Sequence, residues 1–247
     1  MIHGTIALQG DDYTDRQRPA CRRRHSVIDG SILFPPGGEP PREIIIFLHG
    51  VASNGDIVAS LAPRLQASFP HALIVAPNAP NAYPERERAY QWWPLSDFGP
   101  RSLAAGVKQA GPPLQRFIDD MLAATGPTED RLVLAGFSQG AMLALHAAIT
   151  RPRRTAGVVA FSGALAHRAL PWRPFGQRPP VLLVHGAEDT VIPLAALSDA
   201  ARKLTAYGCR VEAHVRAGLG HSVNGAAYAL AERAIGRMLG NDAVAGQ

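Results

Sequence analysis

The stretch RLVLAGFSQGAMLALHAAIT, from Arg131 to Thr150, decides the fold of this chain. Its first residues, RLVLA, are a short apolar run of the kind found in buried strands, and the part from Gln139 onward is apolar on nearly every face of a helix. Between them, residues 136–140 read GFSQG, a G-x-S-x-G sequence where a strand turns directly into a helix. So tight a turn needs its glycines and exposes the serine hydroxyl, which makes Ser138 a candidate nucleophile. An ordinary Gly/Ser turn is the alternative.

Strands and helices alternate on both sides of this stretch. Short apolar runs predict strands at Glu43–Leu48, Ala72–Ala76, Arg131–Ala135, Gly157–Phe161, Val181–Val184 and Arg210–Val215. Amphipathic or apolar spacing predicts helices at Ile57–Ala67, Leu103–Ala124, Gln139–Thr150, Leu194–Tyr207 and Ala226–Leu239, the second of which Gly-Pro-Pro at residues 111–113 could interrupt. This alternation predicts an α/β fold with a mainly parallel central sheet, helices on both faces and no large lid domain.

Length and composition limit the domain organisation. The chain has 247 residues, of which 47% are apolar and 18% are charged, and this balance excludes a disordered chain. The length fits one or two domains. We expect residues 1–41 to form an N-terminal extension, in which residues 25–34 give an edge strand or a hairpin. A single α/β domain then spans residues 42–240, and residues 241–247 form a frayed tail.

Composition also bears on partners and location. The net charge of +5 is carried mostly by arginine, and the clusters at residues 22–24 and 151–154 accompany no nucleic-acid-binding motif, so we expect no nucleic-acid partner. Cys21 and Cys209 are far apart and form no disulfide framework or zinc motif. The most apolar window, Leu132–Ile149, is too polar for a membrane span, and the N-terminus lacks a signal-peptide core. We expect a cytoplasmic protein.

A base and an acid should accompany the candidate serine. A hydroxyl is a weak nucleophile at neutral pH, and on this architecture the expected chain order is Ser, acid, His. Asp189 lies just after the predicted strand Val181–Val184, at the sheet edge where reacting groups collect. Glu188 is the competing acid, and capping the next helix is the other role open to Asp189. His221, in the Gly-rich loop after the last strand, is the candidate base, although a lone histidine is more often structural.

Acyl transfer also needs two backbone N–H groups to stabilise an oxyanion. The first candidate is the amide of Gln139, directly after the serine. The second is the amide of Val51, because Gly50 lets the backbone turn under the site after the first core strand; a plain tight turn is the alternative. Trp92 and Trp93 lie in a loop beyond a strand end, where they either line a pocket for the acyl chain or pack the long loop.

Six motifs in one order give a specific resemblance. They are LHGVASNGD (48–56), APNAP (76–80), QWW (91–93), GFSQGAM (136–142), HGAEDTVIP (185–193) and GLGHSV (218–223). Together they resemble the phospholipase/carboxylesterase family of α/β-hydrolases, which contains small bacterial carboxylesterases and acyl-protein thioesterases. The resemblance covers about residues 43–239. It places the family's Ser, Asp and His at Ser138, Asp189 and His221, and its oxyanion amides at Val51 and Gln139.

This resemblance implies an α/β-hydrolase that cleaves a small-molecule carboxylic ester, of small or medium acyl chain, without cofactor or metal and often as a homodimer. A thioesterase or lysophospholipase on the same site is the nearest alternative, and a non-catalytic hydrolase-like binding protein is a more distant one. The chain departs from the family pattern in its longer polar N-terminal extension and in the loop around Trp92 and Trp93. Protein deacylation therefore does not carry over directly.

Overall fold

A mainly parallel β-sheet runs through the centre of the structure. The computed structural model describes residues 28–60, 62–167 and 178–241. The strands within these ranges are β1 (Gly30–Leu33), β2 (Glu43–Leu48), β3 (Ala72–Pro77), β4 (Asn81–Ala82), β5 (Tyr90–Gln91), β6 (Leu132–Phe137), β7 (Gly157–Phe161), β8 (Val181–Gly186) and β9 (Val211–Arg216). Among these residues, one sheet has the spatial order β1-β3-β2-β6-β7-β8-β9, and the short β4 and β5 form a separate antiparallel pair. Only β1 runs antiparallel to its neighbour in the large sheet, so the predicted fold class is confirmed.

The inner strands are apolar along their length because both faces of the sheet are covered. Every residue of β2, β3 and β8 is buried. Successive residues point to opposite faces, so Ile44 and Ile46 join one apolar core while Ile45 and Phe47 join the other. At the edge of the sheet, β9 is made of half-buried and exposed residues.

Six helices in the described ranges cover the sheet. They are α1 (Gly55–Ala59), α2 (Ala62–Ser68), α3 (Pro100–Thr125), α4 (Gln139–Thr150), α5 (Ala195–Tyr207) and α6 (Gly225–Leu239). Buried residues of α3, α4 and α5 belong to the core on one face, and those of α2 and α6 to the core on the other. The helix α4 is the most deeply packed of these, since ten of its residues are buried.

The predicted helix Ile57–Ala67 is wrong as a single element. The structure has α1 and α2 in its place. Pro63 explains the break, because its ring has no N–H to donate to the carbonyl of Ala59 and would collide with it in a continuous helix. Proline is tolerated in the first turn, which is where α2 places it.

The opposite error concerns the predicted interruption at residues 111–113. The helix α3 continues through Pro112 and Pro113 without a break. The prolines leave the carbonyls of Lys108 and Gln109 without helical partners, but both residues lie on the exposed side, where water can satisfy them. The buried stripe of α3 continues on both sides of the prolines and holds the helix against the core.

Residues 30–33 form the edge strand β1, which pairs with β3. The predicted extension before residue 28, with Cys21 and the arginines at 22–24, and the predicted tail after residue 241 lie outside the described residues. Within the described ranges, no helix combines the length and hydropathy that crossing a bilayer requires.

Candidate active site

Ser138 is the single residue between β6 and α4. Its backbone has φ 53° and ψ −117°, a conformation that side-chain-bearing residues seldom adopt. The two glycines of the motif are required by close approach. A Cβ on Gly136 would lie 2.5 Å from the backbone of Gly140, and a Cβ on Gly140 would lie 2.1 Å from the carbonyl oxygen of Leu48. The elbow predicted from the sequence is therefore formed. A side chain at Gly136 would force β6 and α4 apart, and a side chain at Gly140 would force α4 away from the end of β2.

Backbone hydrogen bonds hold the strained serine in place. The Ser138 amide donates to the carbonyl of Phe161 at the end of β7, at 2.9 Å, and its carbonyl accepts from the amide of Met142, at 3.1 Å. The hydroxyl does not cap the helix that it precedes. It is consequently free to bond elsewhere, and its Oγ lies 2.9 Å from Nε2 of His221.

His221 also contacts the acid predicted to orient it. Its Nδ1 lies 2.8 Å from Oδ2 of Asp189. Because a carboxylate only accepts, Nδ1 carries the proton and donates, which leaves Nε2 to accept from the serine hydroxyl. The structure thus joins Ser138, His221 and Asp189 in one chain of hydrogen bonds. Glu188, the competing acid, is exposed to solvent.

The two oxygens of Asp189 have different partners. Oδ1 accepts from the amides of Val191 and Ile192, at 2.9 and 2.8 Å, so the loop-capping role and the contact with His221 occur together in one side chain. Burial raises the pKa of this carboxyl, but the hydrogen bonds from His221 and the two amides outweigh burial and hold the pKa below its ordinary value. Asp189 is therefore ionised at neutral pH.

Two further side chains, not predicted from the sequence, support His221 and Asp189. The buried His185, at the end of β8, donates from Nε2 to the carbonyl of Ile192 at 2.9 Å, and the same nitrogen lies 3.3 Å from Oδ2 of Asp189. The ring of Phe137 packs against the ring of His221, with centroids 4.8 Å apart. Both residues belong to motifs quoted above, GFSQGAM and HGAEDTVIP, but nothing in those motifs indicates the contacts.

A second buried histidine lies on the other flank of the serine. His49 accepts from the amide of Ala79 at Nε2, at 3.0 Å, so its proton is on Nδ1, which donates to the carbonyl of Gly50 at 2.7 Å. Burial lowers the pKa of His49 to about 4, against the smaller opposite effect of the Gly50 hydrogen bond. The ring is neutral at physiological pH. It holds the Gly50–Val51 peptide next to the elbow, since a Cβ on Gly50 would lie 3.4 Å from Cβ of Ser138.

Trp92 and Trp93 are both buried in the core, each with 1% of its surface exposed. The indole of Trp92 donates to the carbonyl of His49 at 2.9 Å. The indole of Trp93 packs on α3, where a Cβ on Gly106 would collide with it. This burial supports the packing alternative for both residues, and we assign neither ring to the pocket for the acyl chain.

Gln139 stands as predicted at the first position of α4, where backbone amides have no helical acceptor. Its side chain is also buried, and its amide group bonds the backbone of residues 92 and 93. Sequence reasoning missed this side-chain contact. Among the described residues, no three His, Cys, Asp or Glu side chains converge as a metal site would require.

Comparisons with known proteins place this geometry in a family. A sequence profile of the phospholipase/carboxylesterase family matches residues 34–235. The chain belongs to this family. The resemblance found in the motifs is thereby confirmed, and this phospholipase/carboxylesterase family member is a hydrolase.

Curated relatives cover most of the family domain. Acyl-protein thioesterase 1 of Schizosaccharomyces pombe is 30% identical over 167 residues, which are 64% of this family member and 73% of the yeast protein. Acyl-protein thioesterase 1 of Saccharomyces cerevisiae is 27% identical over 200 residues, 74% of this chain and 87% of that protein.

Solved structures agree in fold. The crystal structure of esterase PE8 is 30% identical, with a TM-score of 0.79, and the match covers 86% of this family member and 99% of PE8. The carboxylesterase of Bacillus cereus is 16% identical, with a TM-score of 0.69 over 86% of this chain and 95% of that one, a likeness of fold alone.

Proposed function

We propose that this chain is a serine esterase that hydrolyses carboxylic esters of small or medium acyl chain. Ser138, His221 and Asp189 form its catalytic triad, and the amides of Val51 and Gln139 form its oxyanion hole. The observation that carries this proposal is the continuous set of hydrogen bonds from Oγ of Ser138, through both nitrogens of His221, to Oδ2 of Asp189.

The reaction proceeds by acylation of the serine. Oγ of Ser138 attacks the acyl carbonyl carbon while Nε2 of His221 takes the hydroxyl proton, and the ionised Asp189 stabilises the imidazolium at Nδ1. The amides of Val51 and Gln139 donate to the oxyanion of the tetrahedral intermediate. His221 then gives its proton to the leaving alkoxide.

The second half of the reaction returns the free enzyme. His221 Nε2 removes a proton from water, which attacks the acyl-serine carbonyl, and the same two amides stabilise the second oxyanion. His221 finally returns the proton to Oγ as the carboxylic acid leaves. No cofactor or metal takes part in any of these steps as we propose them.

The nearest alternative is a thioesterase reaction on the same site. The names of the two yeast relatives, both acyl-protein thioesterases, favour it. A thioester differs only in its leaving group, so the same triad and amides would serve. A panel of acetate, butyrate, octanoate and palmitate esters, each matched by a thioester of the same acid, separates the two substrate classes by their kcat/KM values. Cytoplasmic location, a homodimer and the absence of a nucleic-acid partner stay predictions.

Replacement of the nucleophile tests the proposal most directly. We expect Ser138→Ala to lower kcat on a chromogenic short-chain ester by at least about four orders of magnitude, because no other group supplies the attacking oxygen. Labelling by a fluorophosphonate probe should disappear in the same variant. Wild-type turnover by a folded Ser138→Ala protein would refute the assignment, and a wild-type protein that neither turns over esters nor takes the probe would favour the binding-protein alternative.

Ser162 offers a matched control. It is also buried, also has a positive φ, of 46°, and also directly follows a strand, β7, but it is not part of the triad. Ser162→Ala should retain turnover within about threefold and should still be labelled by the probe.

A further inference from the structure

Two adjacent tryptophans differ in what their indole N–H groups do. Both rings are buried. The indole of Trp92 donates to the carbonyl of His49, whereas the indole nitrogen of Trp93 has no hydrogen-bond partner in the described part of the chain. Buried donors normally have a hydrogen-bond partner, and Trp92 follows this rule whereas Trp93 does not. The two buried tryptophans therefore differ in whether the indole N–H is bonded.

The backbone of the two tryptophans is fixed to the residue after the nucleophile. Oε1 of Gln139 accepts from the amide of Trp92 at 2.8 Å, and Nε2 of Gln139 donates to the carbonyl of Trp93 at 2.9 Å. Both atoms of the side-chain amide are therefore used. This pair of bonds ties the loop to the first residue of α4.

The indole of Trp92 extends from this loop to His49, which follows β2. Trp92 Nε1 bonds the carbonyl of His49 at 2.9 Å, and the two rings pack with centroids 5.4 Å apart. His49 then donates from Nδ1 to the carbonyl of Gly50. Because the N–H and C=O of a trans peptide point in opposite directions, this bond turns the amide of Val51 away from the imidazole.

A continuous series of hydrogen bonds thus links the Gly50–Val51 peptide, through His49 and Trp92, to Gln139. We propose that Trp92 is a positioning residue, which fixes the distance and orientation between the two amides of the oxyanion hole and keeps the hole formed before substrate binds. This inference rests on the proposed function, since it assigns a purpose to the Val51 and Gln139 amides. Trp92 is buried and, in this proposal, acts through His49 and Gln139.

The experiment compares Trp92→Phe with Trp93→Phe. Each removes one indole N–H and keeps a buried aromatic ring, but only Trp92→Phe breaks the link to His49. We expect Trp92→Phe to lower kcat on a short-chain ester by about ten- to a hundredfold, a part of what loss of one oxyanion donor costs. KM should change by less than about threefold. Trp93→Phe should keep kcat within about twofold.

A thionoester, in which sulfur replaces the carbonyl oxygen, distinguishes positioning from general packing. Sulfur is larger and accepts hydrogen bonds more weakly, so a formed oxyanion hole favours the ordinary ester over the thionoester. We expect the ratio of the two kcat/KM values to fall at least about fivefold in Trp92→Phe and to stay at the wild-type value in Trp93→Phe. An unchanged ratio in folded Trp92→Phe, or an equal fall in both variants, would overturn the inference.

A second variant covers the case in which Trp92→Phe does not fold. Gln139→Met keeps the backbone amide of residue 139 and most of the side-chain volume, but it removes both bonds to the loop. The same fall in the ester-to-thionoester ratio is expected, and a wild-type ratio would contradict the inference. Failure of the proposed function has a different signature. If the Ser138→Ala protein still hydrolysed esters, the triad assignment would be wrong whatever the results for the tryptophan variants.

Discussion

A histidine lies on each flank of Ser138, and the two histidines have different hydrogen-bond partners. On one flank, which we call the proton-transfer side and define as Asp189 and His221, a histidine faces an ionised carboxylate. On the other, which we call the amide side and define as His49, Trp92 and Gln139, a histidine accepts from a backbone N–H and donates to a carbonyl. A carboxylate stabilises an imidazolium, whereas a backbone donor at Nε2 excludes one.

The amide side therefore fixes the positions of groups without changing its own protonation state. The bonds of the amide side connect uncharged groups, and burial keeps the pKa of His49 at about 4. At neutral pH, where the proposed mechanism uses His221 as a base, the amide side does not titrate. The pH dependence of turnover should therefore come from the proton-transfer side alone.

Among changes to the two flanks, the largest effect is expected from Asp189→Asn. Its Oδ1 can still accept from the amides of Val191 and Ile192, but the amide nitrogen would face Nδ1 of His221 and favour the wrong tautomer of that ring. By analogy with the same change in a serine protease triad, kcat should fall by about four orders of magnitude. Steady-state kinetics measures the loss, and circular dichroism checks the fold.

The exposed neighbour provides the control for this change. Glu188→Gln also removes one negative charge from the same loop, but its side chain lies in solvent and should leave kcat within about twofold. A similar loss in Glu188→Gln and Asp189→Asn would show that loop charge, and not the contact with His221, determines the rate.

A smaller effect is expected when a titratable group is placed on the amide side. In Gln139→Glu, an ionised carboxylate would face the carbonyl of Trp93, where Nε2 of Gln139 now donates. Burial raises the pKa of a carboxyl, and its protonated form can donate as the amide does. We expect kcat to drop about ten- to a hundredfold near pH 8 and the ratio of variant to wild-type kcat to rise as pH falls towards 6. If the ratio of variant to wild-type kcat did not change with pH, the ionisation of residue 139 would not affect turnover, contrary to this prediction.

The smallest effect is a pH dependence of stability. The pKa of His49 is lowered to about 4 by burial, and that of His146 is lowered to about 4 by burial and by the adjacent His167. Between pH 6.5 and 4 the unfolded chain therefore binds more protons than the folded one. The free energy of unfolding should fall as pH falls through this window, by up to about 1.4 kcal/mol per pH unit for each of the two histidines.

Urea unfolding at several pH values measures this slope. His146→Gln removes one of the two histidines without touching the site and should leave a shallower slope. A slope equal to that of the wild type would mean that His146 is not held neutral by the fold. Carboxylates with lowered pKa, such as Asp189 and Glu212, begin to add to the slope below about pH 5, so the two proteins are compared between pH 6.5 and 5.

The sequence was sufficient for features that depend on local pattern and chain order. The buried strands follow from continuous apolar runs, and the positions of Ser138, Asp189 and His221 follow from a motif and from their places after β6, β8 and β9. Contacts between distant segments were not predictable in this way. Gln139 and Trp92 are 47 residues apart, and no periodicity in either segment indicates that they meet.

The helix errors have a different cause. Pro63 breaks the predicted helix and lies in the first turn of α2, whereas α3 continues through Pro112 and Pro113, although all three prolines lack a backbone donor. The deciding quantity is how much apolar surface each segment buries. The long buried stripe of α3 offsets the lost hydrogen bonds, whereas the residues of α1 and α2 whose burial is described include just two buried ones, Gly55 and Leu65. That balance depends on tertiary packing, which the local sequence does not show.

The conformation of Ser138 also has a consequence for refolding. A residue at φ 53° and ψ −117° is seldom populated in an isolated peptide, and here it is held by a bond to Phe161 on β7 and by the first turn of α4. Ser138 therefore reaches this geometry only when β6, β7 and α4 have assembled around it. We expect the proposed esterase activity to return no earlier than native structure after dilution from denaturant.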